Sequence, residues 1–251
     1  MFNFKSILDV TKKEWLSGLG ITEKEIPDVL ILEGSWWRED RQKLRLAHLK
    51  SVRELGFPDI FWGKWKDKKI VFCMAYGAPR ALEISHIFSK IGCKLVIQIG
   101  TCGGLQSFLS PGDIILPEQI SCEDGVAKNF SKGNQVNASS KWIKRAKTLL
   151  TKLNRNVYIG KHVTFSSLFA ETKEMYEKWN KEGYLSVEME TATTVAAAQQ
   201  YDVDALSMVV VWDELTAGRR FMDPMTNEAM KELDLSNEHI FKVALSLSDE
   251  L

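Results

Sequence analysis

The chain has 251 residues, with 33 Lys and Arg against 33 Asp and Glu, a formal net charge of zero, 45% hydrophobic and 26% charged residues. The balanced charge excludes the basic surface that nucleic-acid phosphates demand and the polybasic segment that binds an anionic membrane. The composition is that of a globular chain, long enough for one large domain or two small ones. From Met1 to Glu25, Lys and Glu alternate with scattered apolar residues, without the continuous apolar stretch of a secretory signal. No apolar run nears the ~20 residues of a membrane-spanning helix, so the expected location is the cytoplasm. Cys73, Cys93, Cys102 and Cys122 sit singly, with no paired ligand spacing. They are expected to be reduced and buried, with no metal.

Strands and helices alternate along the rest of the chain, the pattern of an α/β layer architecture. A short buried strand is predicted over 28–32. Leu44, Leu46, Leu49, Val52 and Leu55 fall at helical spacing and predict one helix over 38–55, stopping at Gly56. Strands over 60–65 and 69–74 form a hairpin around Lys66-Asp67-Lys68, and Pro79 opens a helix that closes at Gly92. A buried strand over 94–99 runs into the glycine turn Gly100-Thr101-Cys102-Gly103-Gly104, and Gly112 to Pro117 forms another strand. An amphipathic basic helix follows over 139–153, then a pair of strands over 156–166 and a helix over 173–182. The segment 185–189 is extended, 190–200 is Ala-rich and helical, 205–212 is the last central strand, and a helix over 227–247 closes the chain. No linker or repeat divides this series, so a single domain over 1–251 is expected. A TIM barrel has the right length, but the adjacent strands at 60–74 and 94–122 lack the helix it needs after each strand.

Three places carry chemistry. Glycines at 100–104 let backbone N–H groups approach a ligand, and the Thr101 hydroxyl adds a donor suited to an anion or a sugar. The spacing is neither the dinucleotide fingerprint nor the P-loop, and taken alone such a cluster is more often a tight turn than a site. Glu188 and Glu190 lie between a strand and the Ala-rich helix, either as acids complementing its dipole or as acceptors for vicinal hydroxyls. Asp213 ends a strand too apolar to be exposed, where open α/β sheets bind ligands, or else caps the next helix.

The ordered set Ile99-Gly-Thr-Cys-Gly-Gly104, Pro111-Gly-Asp-Ile-Ile115, Val187-Glu-Met-Glu-Thr-Ala192 and the apolar strand closing on Asp213 resembles the nucleoside phosphorylase/nucleosidase family. The likeness runs from about Asp28 to Asp213. It implies an α/β/α sandwich around a mixed, barrel-like central sheet, assembled as a homo-oligomer (dimer or hexamer). The implied partners are a nucleoside and phosphate, with no organic cofactor, and the implied setting is purine salvage. The implied chemistry is attack of phosphate or water on C1′ through a ribosyl oxocarbenium-like transition state.

Carried over position by position, the resemblance places Glu190 on the ribose 2′- and 3′-hydroxyls, with Met189 against the sugar and Glu188 beside it. It places Asp213 on purine N7 as a carboxyl kept protonated by a dry pocket, and Phe169 against the base. Gly34-Ser-Trp-Trp-Arg38 resembles the family's phosphate loop, so Gly34, Arg38, Gln98 and Thr101 are the expected phosphate ligands. Arg53 is the candidate for loan to a neighbouring subunit, and Arg219 or Arg220 for pairing with Asp213. Trp36, Trp37 and Trp212 either narrow the pocket or pack at core and interface. One departure stands out: Gln98 occupies the place of a phosphate-binding arginine. A charged donor contributes roughly 1.5–3 kcal/mol against about 1 for a neutral one, so phosphate is held more weakly. That departure counts against phosphorolysis, but with Arg38 still present in the phosphate-like loop phosphorolysis is the first reading. Hydrolysis by water activated at Glu33 or Glu39 is the second, and a nucleoside-binding protein without turnover the third. Ala170-Glu-Thr-Lys173 lacks the Gln and Arg that read uracil in uridine phosphorylases, which leaves a purine as the expected base.

Overall fold

The computed structural model describes residues 5–251; residues 1–4, the start of the N-terminal segment read above, lie outside the described residues. In chain order the strands are β1 (Val29–Gly34), β2 (Lys50–Glu54), β3 (Ile60–Trp65), β4 (Lys68–Met74), β5 (Leu95–Gly104), β6 (Ile114–Glu123), β7 (Gln135–Asn137), β8 (Val157–Phe165), β9 (Ser186–Glu188) and β10 (Asp204–Glu214). The helices are α1 (Lys12–Leu19), α2 (Arg38–Leu46), α3 (Ala78–Ile91), α4 (Ser140–Lys152), α5 (Lys173–Lys181), α6 (Thr191–Gln199) and α7 (Asn227–Ser248).

The near-continuous apolar runs become parallel strands covered on both faces, as their composition requires. β1 lies between β4 and β5, and β5 pairs in parallel with β10. β10, β6, β8, β9 and β5 pair in a ring that closes on itself, while β4, β3 and β2 extend the sheet as an antiparallel edge. The fold is thus α/β around a mixed, barrel-like sheet. Helix α6 is buried along almost its whole length between α3 and the sheet, which explains its Ala-rich sequence: small side chains let backbones approach on every side. No helix among the described residues is long and apolar enough to cross a membrane. All four cysteines are buried and unpaired.

Four local expectations change. The helix predicted over 38–55 ends at Leu46, and 50–54 forms edge strand β2 on β3. The inward face of α2 carries Arg45, whose guanidinium bonds both oxygens of buried Glu33 at 2.8 and 3.0 Å, while Leu44 is 59% exposed. A hairpin edge open to pairing outweighed a weak helical period. Next, the glycine turn at 100–104 is instead the last half of β5. A Cβ on Gly100 would lie 2.9 Å from the Gly34 carbonyl and one on Gly103 2.5 Å from Leu215, so these glycines serve close strand and loop approach. The pair of strands over 156–166 is one strand, β8, in which Gly160 makes room for Leu185 rather than a turn. Finally, the strand predicted to stop at Pro117 continues to Glu123, with the proline at a register shift against β8.

Candidate active site

The parallel strands β1, β5 and β10 run in one direction and end together. At their C-terminal ends, where open α/β sheets leave a crevice, Gly34, Thr101, Gly103, Trp212 and Asp213 line one pocket with Met189 and Glu190. Aromatic walls come from Trp36, Trp37, Tyr76, Trp212 and Phe221. Trp37 stacks on Trp212 at 4.8 Å between centroids, and Trp36 meets Phe221 at 5.2 Å. Four carboxyl side chains line the pocket (Glu171, Glu188, Glu190 and Asp213), and no Arg, Lys or His does so among the described residues.

Glu190 is the N-cap residue of α6, and its carboxyl accepts the Gly77 N–H at 2.6 Å. Gly34 faces it so closely that a Cβ there would lie 2.7 Å from Oε2. Burial first, and the charge of Glu188 second, push the Glu190 carboxyl well above its ordinary range. Glu188 is held the opposite way. Although burial raises it, bonds from His162 Nε2 (3.0 Å), the Thr164 hydroxyl (2.6 Å) and the N–H groups of Glu190 (2.7 Å) and Thr191 (2.9 Å) outweigh that and keep it ionised. All four donors are internal, so Glu188 anchors the start of α6.

Asp213 is buried, and its Oδ1 has no hydrogen-bond partner. Burial raises its carboxyl to about 7; Arg219 pulls it down and Asp223 pushes it up. The expected pairing with an arginine of the following loop is not made. Arg219 bonds Glu214 at 2.7 Å and the Trp212 carbonyl, and Arg220 bonds Asp223. A buried acid with an orphaned oxygen, raised toward neutrality, is equipped to give up a proton to a ligand atom.

Other expected residues stand elsewhere. Gln98 is buried beneath α6, accepting from the Thr194 hydroxyl at 3.2 Å and donating to the Ile99 carbonyl, and it does not line the pocket. Arg38 opens α2 and lines a separate outer groove with Glu39 and Arg80, which shares Ser35, Trp36 and Tyr76 with the pocket as a common wall. Phe169 is 85% exposed at the rim, 6.3 Å from Trp36, and the pocket's aromatic lining comes from other rings. Arg53 is bound locally to Glu25 at 2.7 Å and lies over Trp62. Glu33 is consumed by Arg45, and Glu39 faces the outer groove.

Sequence reasoning missed Glu171, Tyr76 and Phe221. Glu171 lines the pocket beyond the 3-10 turn Leu168–Ala170 and accepts the Tyr176 hydroxyl at 2.8 Å. Burial pushes it up to about 7, the Tyr176 bond lowers it, and Asp213 raises it further. Its place one residue before the Thr172 cap of α5 was the available signal, since that loop follows the strand leading into the site.

The model of the phosphorylase superfamily matches residues 41–247, and the chain belongs to that family. It is similar to the DeoD-type purine nucleoside phosphorylase of Caldanaerobacter subterraneus subsp. tengcongensis, 29% identical over 205 residues, covering 80% of this chain and 88% of the relative. The DeoD-type enzyme of Alkaliphilus metalliredigens is 28% identical over the same shares. Among solved structures, uridine phosphorylase from Vibrio fischeri ES114 superposes with a TM-score of 0.78 at 20% identity, covering 91% of this chain and 95% of that one, a likeness of fold.

Proposed function

We propose that the protein cleaves the N-glycosidic bond of a purine ribonucleoside, with inorganic phosphate as co-substrate, releasing the base and ribose-1-phosphate. The observation that carries this reading is the placement of Glu190 and the unpartnered Asp213 on one pocket. Glu190 accepts from the ribose hydroxyls, with Met189 against the sugar. As the C1′–N9 bond breaks, its electron pair passes to the base and Asp213 transfers its proton to N7. The positive charge growing on the sugar ring is favoured by the ionised Glu188 carboxylate that lines the pocket. A phosphate oxygen then forms the new bond to C1′, with the Thr101 hydroxyl and Arg38 as its ligands. Arg38 reaches it only when Trp36 and Tyr76 part. Gln98 and Arg53 have no role in this reading, since both are engaged elsewhere. Family membership supports phosphate as the acceptor. The reading includes a homo-oligomer working in the cytoplasm on a free nucleoside, with no metal, nucleic acid or membrane.

Hydrolysis is the second reading, favoured by the absence of any cation among the described lining residues. The test is a panel of inosine, guanosine, adenosine, methylthioadenosine and uridine, with and without phosphate, resolving base, ribose and ribose-1-phosphate. Phosphate-dependent release with the sugar phosphate is expected. Free ribose without phosphate establishes hydrolysis, and uridine cleaved faster than the purine nucleosides overturns the base assignment. No release from any of the five removes both readings and leaves nucleoside binding, read as a ligand-induced shift in melting temperature.

A further inference from the structure

We propose that His162 is a positioning residue for Glu190, and that it sets the preference for ribonucleosides over 2′-deoxyribonucleosides. This rests on the reading of Glu190 as the acceptor of the ribose hydroxyls. His162 lies in β8 with no exposed surface and does not line the pocket. Both ring nitrogens are engaged: Nδ1 lies 2.8 Å from the Ser186 hydroxyl and Nε2 3.0 Å from Glu188 Oε1. An ionised carboxylate only accepts, so Nε2 carries the hydrogen; in the neutral ring Nδ1 then accepts from Ser186. The other oxygen of Glu188 holds the N–H groups of Glu190 and Thr191. A continuous chain of bonds therefore runs Ser186–His162–Glu188–Glu190 and fixes the backbone from which the Glu190 carboxyl reaches the pocket.

The ring is not needed to fill a helix or strand pattern. An apolar residue at 162 would satisfy β8, yet the imidazole supplies one of the two side-chain donors to Glu188 Oε1, the other being Thr164. Without it, Oε1 keeps the Thr164 bond alone and the buried Ser186 hydroxyl loses its imidazole partner. Glu188 then turns or takes up a proton, its hold on the amides slackens, and Glu190 moves. A carboxyl group that must meet two vicinal hydroxyls at once loses most from a displacement of a few tenths of an ångström. A 2′-deoxyribonucleoside, which offers only one of those hydroxyls, loses less. The expected result is a selective loss, expressed mainly in KM.

The test compares kcat and KM for a purine ribonucleoside and its 2′-deoxy counterpart in His162→Leu, His162→Gln and Glu190→Gln, with melting curves to confirm folding. In His162→Leu the ribose-to-deoxyribose ratio of kcat/KM is expected to fall roughly tenfold, the scale of one hydrogen bond to a charged group. His162→Gln, which keeps a donor toward Glu188, is expected to retain most of the ratio. A folded His162→Leu protein with the ratio unchanged overturns the proposal. If that variant does not fold, Ser186→Ala, which frees the ring at Nδ1, replaces it with the same expected loss, and an unchanged ratio there overturns the proposal equally. The two failures are distinct: a ratio lost in Glu190→Gln but kept in His162→Leu removes the role of His162 alone. A ratio kept in Glu190→Gln removes the sugar reading itself.

Discussion

Gly34 and Glu190 are fitted to one another: a methyl at 34 would stand 2.7 Å from Oε2 and 2.8 Å from the carboxyl carbon of Glu190. Gly34 ends β1 and Glu190 caps α6, so the contact joins two elements far apart in the chain at the floor of the pocket. The first glycine of the phosphate-like loop is therefore explained by the carboxyl it faces.

Gly34→Ala is accordingly expected to displace Glu190 without removing it. Overpacking of this kind costs about 1–3 kcal/mol of stability, and a shift approaching 1 Å at a reacting site costs about 100-fold in rate. The variant should melt somewhat lower and lose about 100-fold in kcat/KM for a purine ribonucleoside. Wild-type kinetics from Gly34→Ala would show that the close contact has no bearing on the reaction.

Asp213 gives a prediction about pH. Its carboxyl is raised to about 7, chiefly by burial, so the proton needed at N7 is present below that value and lost as pH rises through it. kcat/KM is expected to fall on the alkaline side with an apparent midpoint near 7. Asp213→Asn should be slower by about 100- to 10,000-fold and lack that limb. The sign for stability follows from the same shift. Between an ordinary aspartate value near 3.9 and about 7, the native state keeps a proton that the unfolded chain has released. Stability therefore declines as pH rises through that window and is level above it, for a total on the order of 4 kcal/mol. Urea melts at pH 4.5 and 8 check this: Asp213→Asn should gain on the wild type at the higher pH, and an equal difference at both would remove the argument.

The core of this fold was legible because parallel strands buried on both faces leave near-continuous apolar runs, as at 94–99 and 205–212. The carboxylates were legible too, because Glu188, Glu190 and Asp213 interrupt or end such runs, where burial of a charge needs a reason. The boundary at Leu46 was not legible: Leu49, Val52 and Leu55 keep a helical period, and only the distant edge of β3 draws the segment 50–54 between them into a strand. The direction of Gln98 was hidden for a similar reason. Its position in β5 fixes a face of the sheet, but the hydroxyl it meets belongs to Thr194, nearly a hundred residues later. Glu171 and the rings of Tyr76 and Phe221 come from separate loops, and no local pattern marks their convergence.

The buried pair of Glu33 and Arg45 bears on stability. Both side chains are almost fully inaccessible, and the two bonds of 2.8 and 3.0 Å use both carboxylate oxygens. Removing one partner leaves the other charged and unsolvated. Arg45→Met alone or Glu33→Gln alone is expected to cost about 3–5 kcal/mol, while the double change should recover a large part of the loss. Denaturant melts of the four proteins give the coupling, and additive losses would show that the two groups stabilise the fold independently.

The last prediction concerns the wall between the pocket and the outer groove. The Trp36 indole N–H donates to the Tyr76 hydroxyl, and both rings line the two spaces at once, with Arg38 on the far side. If phosphate is the acceptor, Arg38 has to reach past this wall, and its guanidinium then binds the anion through a planar fork of donors. Trp36→Ala removes the ring and its bond to Tyr76, so the KM for phosphate is expected to fall. The KM for the nucleoside should rise, because the pocket loses an aromatic face. Adding Arg38→Ala to that variant should reverse the gain for phosphate and leave the nucleoside effect as it is. A double variant that handles phosphate as well as Trp36→Ala alone would take Arg38 out of the phosphate site and move the balance to water as the nucleophile.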